Sequence, residues 1–312
     1  MINIIWPKLQ LFSLFSVSVF LEAAPYLLFG ALLSSLFEVF VPEEAINSLV
    51  PKRRRFGLLM GLTMGIVFPT CECGIIPIIK KMIQKKVPNY IAVTYMLAAP
   101  VINPVVLFST YVAFRGNWHM VLARVIIVSI VALCAGSYFA FTKEVHLLRP
   151  NLENETDCGC GHHHDDCACG HHHGHKHEHE NKIGAVLSHM ANDFLEMGKY
   201  LIIGCFAASF FTVFFPKGII PLFETSTIAA IVFMMALAAL LSICATADAF
   251  IAASFGGMPF AAQMAFVTLG PMFDLKLLSM YLGTFDRKYV WRMILAIVCL
   301  TFVLNFLLGV VL

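Results

Sequence analysis

The chain has 312 residues, of which 59% are hydrophobic and only 13% charged, about half the roughly 25% charged residues of a soluble domain. This excludes an ordinary soluble globular protein and predicts a polytopic membrane protein. A formal charge of +2 gives no argument for a nucleic-acid partner.

In chain order, eight apolar segments stand near 10–41, 56–79, 88–114, 118–142, 190–215, 226–255, 259–285 and 289–312, each long enough for a spanning helix of roughly 18 residues or more. The first resembles a signal peptide in that Lys8 precedes an apolar run and Glu22-Ala-Ala follows it. Its apolar character continues to Phe40, which favours a spanning helix instead. The second segment holds Pro69-Thr-Cys-Glu-Cys-Gly-Ile-Ile-Pro77, two thiols and a carboxylate between helix-breaking residues. Backbone breaks at membrane depth are tolerated where they line a cavity or site, so Thr70, Cys71, Glu72 and Cys73 are candidate transport-site residues.

An internal repeat organises the rest. Advancing by 174 residues lays Glu22, Tyr26, Leu27, Gly30, Ser35, Phe37, Val39, Phe40 and Pro42 onto identical residues from Glu196 to Pro216. At an offset of 171, Pro88 meets Pro259, Pro100 meets Pro271, Asn103 meets Asp274, and Cys73 falls on Cys244. Cys244-Ala-Thr-Ala-Asp248 is then a second polar interruption, which adds Asn103, Cys244, Asp248 and Asp274 to the candidate site. Repeated halves with broken helices are a recurring transporter plan. If all eight segments span, basic residues divide evenly between the two faces. If the broken segments return to the face they came from, Lys52 to Arg55, Lys80 to Lys86, Arg287, Lys288 and Arg292 gather on one face with the central loop. The positive-inside rule favours that arrangement. The predicted fold is therefore an all-α polytopic membrane protein of two repeated, inverted halves, each with three spanning helices and one broken or re-entrant segment. Eight spanning helices are the alternative. The halves are 1–142 and 183–312, joined by a cytoplasmic loop, 143–182.

That loop carries Cys158, Cys160, His162, His163, His164, Cys167, Cys169, His171, His172, His173, His175, His177 and His179. Ten cysteines would suggest disulfides in a secreted domain. Here six lie in or beside apolar segments and four are paired in this histidine-rich loop, which suits metal chelation better. The loop can chelate Zn, Cu, Ni or Co, and no spacing in it selects one. Its bland reading is a solvated linker. In the membrane, Cys71 and Cys73 favour thiophilic centres such as Cu(I), Zn(II) or trivalent arsenic, with Glu72, Cys244, Asp248 or Asp274 completing a shell. Their bland reading is small packing residues. Carboxylates at membrane depth are costly and usually functional. For Glu22 and Glu196 an ion pair, such as Glu196 with Lys199, is equally open, and Lys276 reads either as the partner of Asp274 or as a site residue. No phosphate-binding Gly-x-x-x-x-Gly-Lys-Ser/Thr pattern occurs, which argues against ATP-driven transport by this chain alone.

Pro69-Thr-Cys71-Glu-Cys73-Gly with Pro77, followed by Ala99-Pro100-Val-Ile-Asn103-Pro104, resembles a bacterial permease family that includes the organoarsenical efflux permeases. The His-rich loop resembles a branch assigned to copper and zinc efflux. The resemblance implies a multi-pass inner-membrane exporter rather than an enzyme. Glu72 between the cysteines and the chelating loop depart from the arsenical pattern and favour a cation. The expected function is secondary export of Zn(II) or Cu(I), by exchange for protons. The alternatives are export of trivalent organoarsenicals, or a membrane metal sensor that binds without moving its ligand. Metal ions enter as substrate, no cofactor is expected, and the oligomeric state is open.

Overall fold

The structure, a computed structural model, describes residues 2–40, 50–51, 53–68, 70–141, 147–149, 182–214 and 226–311. The loop from Cys158 to His179, and Pro69, lie outside the described residues. Among the described residues there are twelve helices and no strand; Leu148 and Phe285 form one isolated bridge. In chain order these are α1 Ile2–Phe40, α2 Arg54–Val67, α3 Ile75–Gln84, α4 Asn89–Ala98, α5 Pro104–Ala113, α6 Trp118–Phe141, α7 Lys182–Phe214, α8 Thr227–Leu241, α9 Asp248–Ser254, α10 Phe260–Leu269, α11 Leu275–Thr284 and α12 Arg287–Val311. The protein is a multi-pass membrane protein. Among the described residues four helices are long and apolar enough to cross a bilayer, over Lys8–Phe40, Trp118–Phe141, Val186–Val213 and Arg287–Val311.

The sequence reading expected three unbroken spans in each half, and the structure has two. Segments 88–114 and 259–285 are each two helices of 10 residues, about 15 Å apiece, interrupted at Ala99–Asn103 and Gly270–Asp274. Pro100 and Pro271 cannot donate to a helical ladder. Asn103 and Asp274 then restart the helix by capping: Asn103 Oδ1 accepts from the Val105 amide at 2.9 Å, and Asp274 Oδ1 from the Leu277 amide at 2.6 Å. Both residues are extended N-caps, the geometry those side chains favour.

The core is built by helices that approach closely. Gly57, Gly61 and Gly65 form a stripe on α2 against α4, where a Cβ on Gly61 would stand 2.8 Å from the Ile91 carbonyl and one on Gly65 2.7 Å from the Ala99 Cα. Small residues at this spacing let helix backbones touch, so dispersion and weak polar contacts replace the hydrophobic drive that lipid removes. α4 also packs on α6, and α10 packs on both α8 and α12. The long helices α1 and α7 lie against one another and turn large apolar residues such as Leu14, Leu21, Leu195 and Ile203 outward, as lipid requires.

Candidate transport site

Each predicted interruption is a real break between two helices. After α2 the chain turns through Glu72, Cys73 and Gly74 before α3 begins, and the Ile75 amide donates to the Cys71 carbonyl at 3.1 Å. After α8 it turns through Ala245, Thr246 and Ala247 before α9, and the Asp248 amide donates to the Cys244 carbonyl at 2.9 Å. The two turns match when Cys71, not Cys73, is set against Cys244. This corrects the register expected from sequence, because the stretch from the turn to the next proline is shorter after the second break, Asp248 to Pro259, than after the first, Ile75 to Pro88. In α8 the left-handed Ser242 ends the helix, and its Oγ accepts from the Leu275 amide at 3.1 Å, tying the second break to the start of α11.

Two cavities meet at these turns. One of about 390 Å³ is lined by α1 (Pro25, Tyr26, Phe29, Gly30), the first break (Thr70, Cys71, Gly74), Pro100 and Asn103, α5 (Val105, Val106) and the second break (Cys244, Ala245, Thr246). The other, about 10 Å³, is lined by Glu22, Ala23, Tyr26, Cys71, Glu72, Cys73, Cys244 and Lys276. Cys71, Cys244 and Tyr26 border both. The larger space is therefore an apolar chamber with a thiol from each break, backed by a smaller polar recess. Cys71 Sγ accepts from the Gly74 amide at 3.3 Å, and Cys244 Sγ lies 3.5 Å from Thr246 Oγ1. None of Cys71, Cys73 and Cys244 is in a disulfide.

The carboxylates are arranged differently from the thiols. Lys276 Nζ stands 3.3 Å from Glu72 Oε1 and 3.8 Å from Asp274 Oδ2, with all three side chains at most 4% exposed. Lys276 is thus both the neutralising partner of Asp274 and a wall of the recess. Asp274 lies behind it, capping α11, and does not face either cavity. Asp248 is paired with Arg124, whose Nη2 donates to Asp248 Oδ2 at 2.8 Å while Nη1 donates to Thr110 Oγ1 at 2.6 Å. That pair is wholly buried, and Nη2 also reaches the Ala245 carbonyl in the second break at 3.4 Å. Sequence reasoning passed over Arg124. Its signal was a guanidinium inside the otherwise uncharged run after Trp118, which demands an acid at the same depth. Glu196 pairs with Lys80 at 2.5 Å, where the sequence suggested Lys199. Tyr26 was seen only as a repeat identity, and the structure makes it a wall of both cavities.

Of the predicted site residues, the structure brings together Thr70, Cys71, Glu72, Cys73, Asn103 and Cys244. It sets Asp248 and Asp274 into ion pairs beside them. Among the described residues no three of His, Cys, Asp and Glu lie grouped so as to enclose a metal ion. What the site offers a soft substrate is two thiols facing one chamber.

Residues 8–312 match the ArsP_1 family of predicted permeases. The chain belongs to that family. Two relatives extend the match over nearly full length. The permease is 36% identical over 290 residues to a Streptococcus mutans serotype c protein described as a proposed subunit of a two-component membrane permease complex, covering 92% of this chain and 90% of that one. It is 38% identical over 292 residues to the UPF0718 protein YcgR of Bacillus subtilis strain 168, covering 93% and 94%. No solved structure matches the permease.

Proposed function

We propose that this permease is a secondary exporter of thiophilic substrates, which it holds between Cys71 and Cys244. The observation that carries the reading is the convergence of these two thiols, from matching positions in the two breaks, on one chamber. The two series of six helices run 39, 14, 10, 10, 10 and 24 residues, then 33, 15, 7, 10, 10 and 25. We read them as inverted repeats around a shared site. The first-choice cargo is Cu(I) or Zn(II) leaving the cytoplasm across an inner membrane in exchange for protons. Two thiolates suit linear Cu(I), whereas tetrahedral Zn(II) needs further ligands. The loop of Cys158 to His179 would gather the ion at the cytoplasmic face.

One observation favours a second reading. A chamber of about 390 Å³ walled by Phe29, Pro100, Val105 and Val106 is large and apolar for a bare ion, and Lys276 beside Glu72 opposes added positive charge. A neutral trivalent organoarsenical, with an organic group in the chamber and arsenic on the thiols, fits both features. Inverted vesicles carrying a pH indicator and offered Cu(I), Zn(II) or methylarsenite decide between them. Cys71-dependent uptake of a metal with proton release supports the first reading, uptake of the arsenical alone supports the second, and uptake of none overturns both.

A further inference from the structure

α1 and α7 take different partners. α1 lies along α3, with Gly30 against the backbone of Gly74. α7 lies along α11: Gly204 sits on Lys276, the ring of Tyr200 covers Gly283, and Ser279 Oγ donates to the Tyr200 carbonyl at 2.7 Å. By the repeat register, Tyr200 and Gly204 correspond to Tyr26 and Gly30, while Lys276, Ser279 and Gly283 correspond to Val105, Phe108 and Val112. In the first series those faces are apart. Gly30 and Val105 both line the large chamber. Val105, Phe108 and Val112 are 60%, 69% and 48% exposed, whereas Lys276 is 3% exposed. The helix face that is covered in one half is open in the other.

From this asymmetry we infer that the protein has a second state in which the α1·α7 pair has exchanged partners. α1 leaves α3 and closes on α5 as α7 closes on α11 here, while α7 leaves α11 and closes on α9. The inference rests on the repeat reading given under the proposed function. The exchange shuts the chamber between α1 and α5 and opens its counterpart between α7 and α11, so Cys71 and Cys244 are approached from the opposite side. α5 already packs on α9, and α3 on α11, so each receiving surface is preassembled. Pro25 cannot donate to the Leu21 carbonyl and gives α1 a point of bending where it borders the chamber.

The present state is held by a latch between α3 and the long pair. Lys80 meets Glu196 at 2.5 Å, Lys81 meets Glu38 at 2.8 Å, and Lys85 Nζ donates to the carbonyls of Phe37 and Glu38 at 2.8 and 2.6 Å. Ser34 Oγ lies 3.1 Å from the Pro77 carbonyl and 3.0 Å from Asp193 Oδ2. A purely lipid-facing α5 would expose the same valines and phenylalanine, but it would not bring Val105 to the chamber that Gly30 also lines.

Distance measurements between spin labels on unnatural amino acids, leaving every native cysteine in place, test the exchange in the full-length protein in lipid nanodiscs. One pair is placed at Phe29 and Phe108, the other at Ile203 and Leu282. Two populations are expected in each pair, with the first distance shortening as the second lengthens. Gly283→Leu overfills the seat of Tyr200, and Glu196→Gln loosens the latch. Each should move the population ratio toward the exchanged state, by roughly tenfold for the glycine variant. A single distance in each pair that neither variant moves, or two distances that change in the same sense, overturns the inference. Opposed changes in a protein that moves neither metal nor arsenical uphold the exchange and overturn the transport reading, and transport with fixed distances does the reverse.

Discussion

At the scale of single residues, the site separates two kinds of chemistry that lie next to each other in the sequence. Cys71 and Cys244 face the chamber, while Glu72, between Cys71 and Cys73, turns to Lys276. A Cys→Ser change replaces a soft donor with a hard one at nearly constant volume. Cys71→Ser and Cys244→Ser should therefore each abolish thiophile uptake in vesicles and leave thermal stability within about 1 kcal/mol of the parent. Full transport by Cys244→Ser would reduce the clamp to the first break. The buried pair behaves differently. Arg124→Met leaves Asp248 without its counter-ion at membrane depth and should cost about 3–5 kcal/mol, whereas Arg124→Met with Asp248→Leu should recover most of the loss. Detergent-phase thermal unfolding measures both, and equal loss in the single and double variants would mean that the loss does not come from stranding Asp248.

At the scale of elements, much was legible and the reasons for the misses are local. Proline, glycine and charge inside an apolar run announced the first break, and the repeat register with the polar Cys244-Ala-Thr-Ala-Asp248 announced the second. Pro100 and Pro271 carried the same signal, yet the residues after them, Val-Ile-Asn and Met-Phe-Asp, are apolar enough to read as continuing spans. Only the caps at Asn103 and Asp274 reveal the restart. The equivalence of Cys71 and Cys244 was hidden because a register set by identities cannot see where a turn closes its hydrogen bond. Side-chain partners across the fold, such as Arg124 with Asp248 and Lys80 with Glu196, were not legible because many same-depth pairings satisfy one sequence. The glycine stripe of α2 makes an element-scale prediction. Gly61→Leu puts a side chain into the Ile91 carbonyl and Thr94, and should lower stability by about 1–3 kcal/mol or more, seen as a fall in the unfolding midpoint. An unchanged midpoint would mean that α2 and α4 separate easily.

At the scale of the whole molecule, the two breaks border one chamber, so access to that chamber and helix packing are one problem. The segment from Cys158 to His179 lies outside the described residues, and deletion tests its proposed role separately. Deleting Cys158 to His179 should raise the metal concentration needed for half-maximal uptake while leaving the rate at saturation near that of the parent. Loss of uptake at every concentration would make the loop part of the pathway. The buried Arg124–Asp248 pair bears on how the protein is made. Its members lie 124 residues apart, so at roughly 5–20 residues per second Arg124 is synthesised about 6–25 s before its counter-ion exists. Over that interval the first half must keep a guanidinium from lipid without its partner, which makes it a client of the insertion machinery or of a quality-control protease. Expressed alone, residues 1–142 should turn over rapidly, and co-expression of residues 183–312 with Asp248 intact should protect them, while the same segment carrying Asp248→Leu should not.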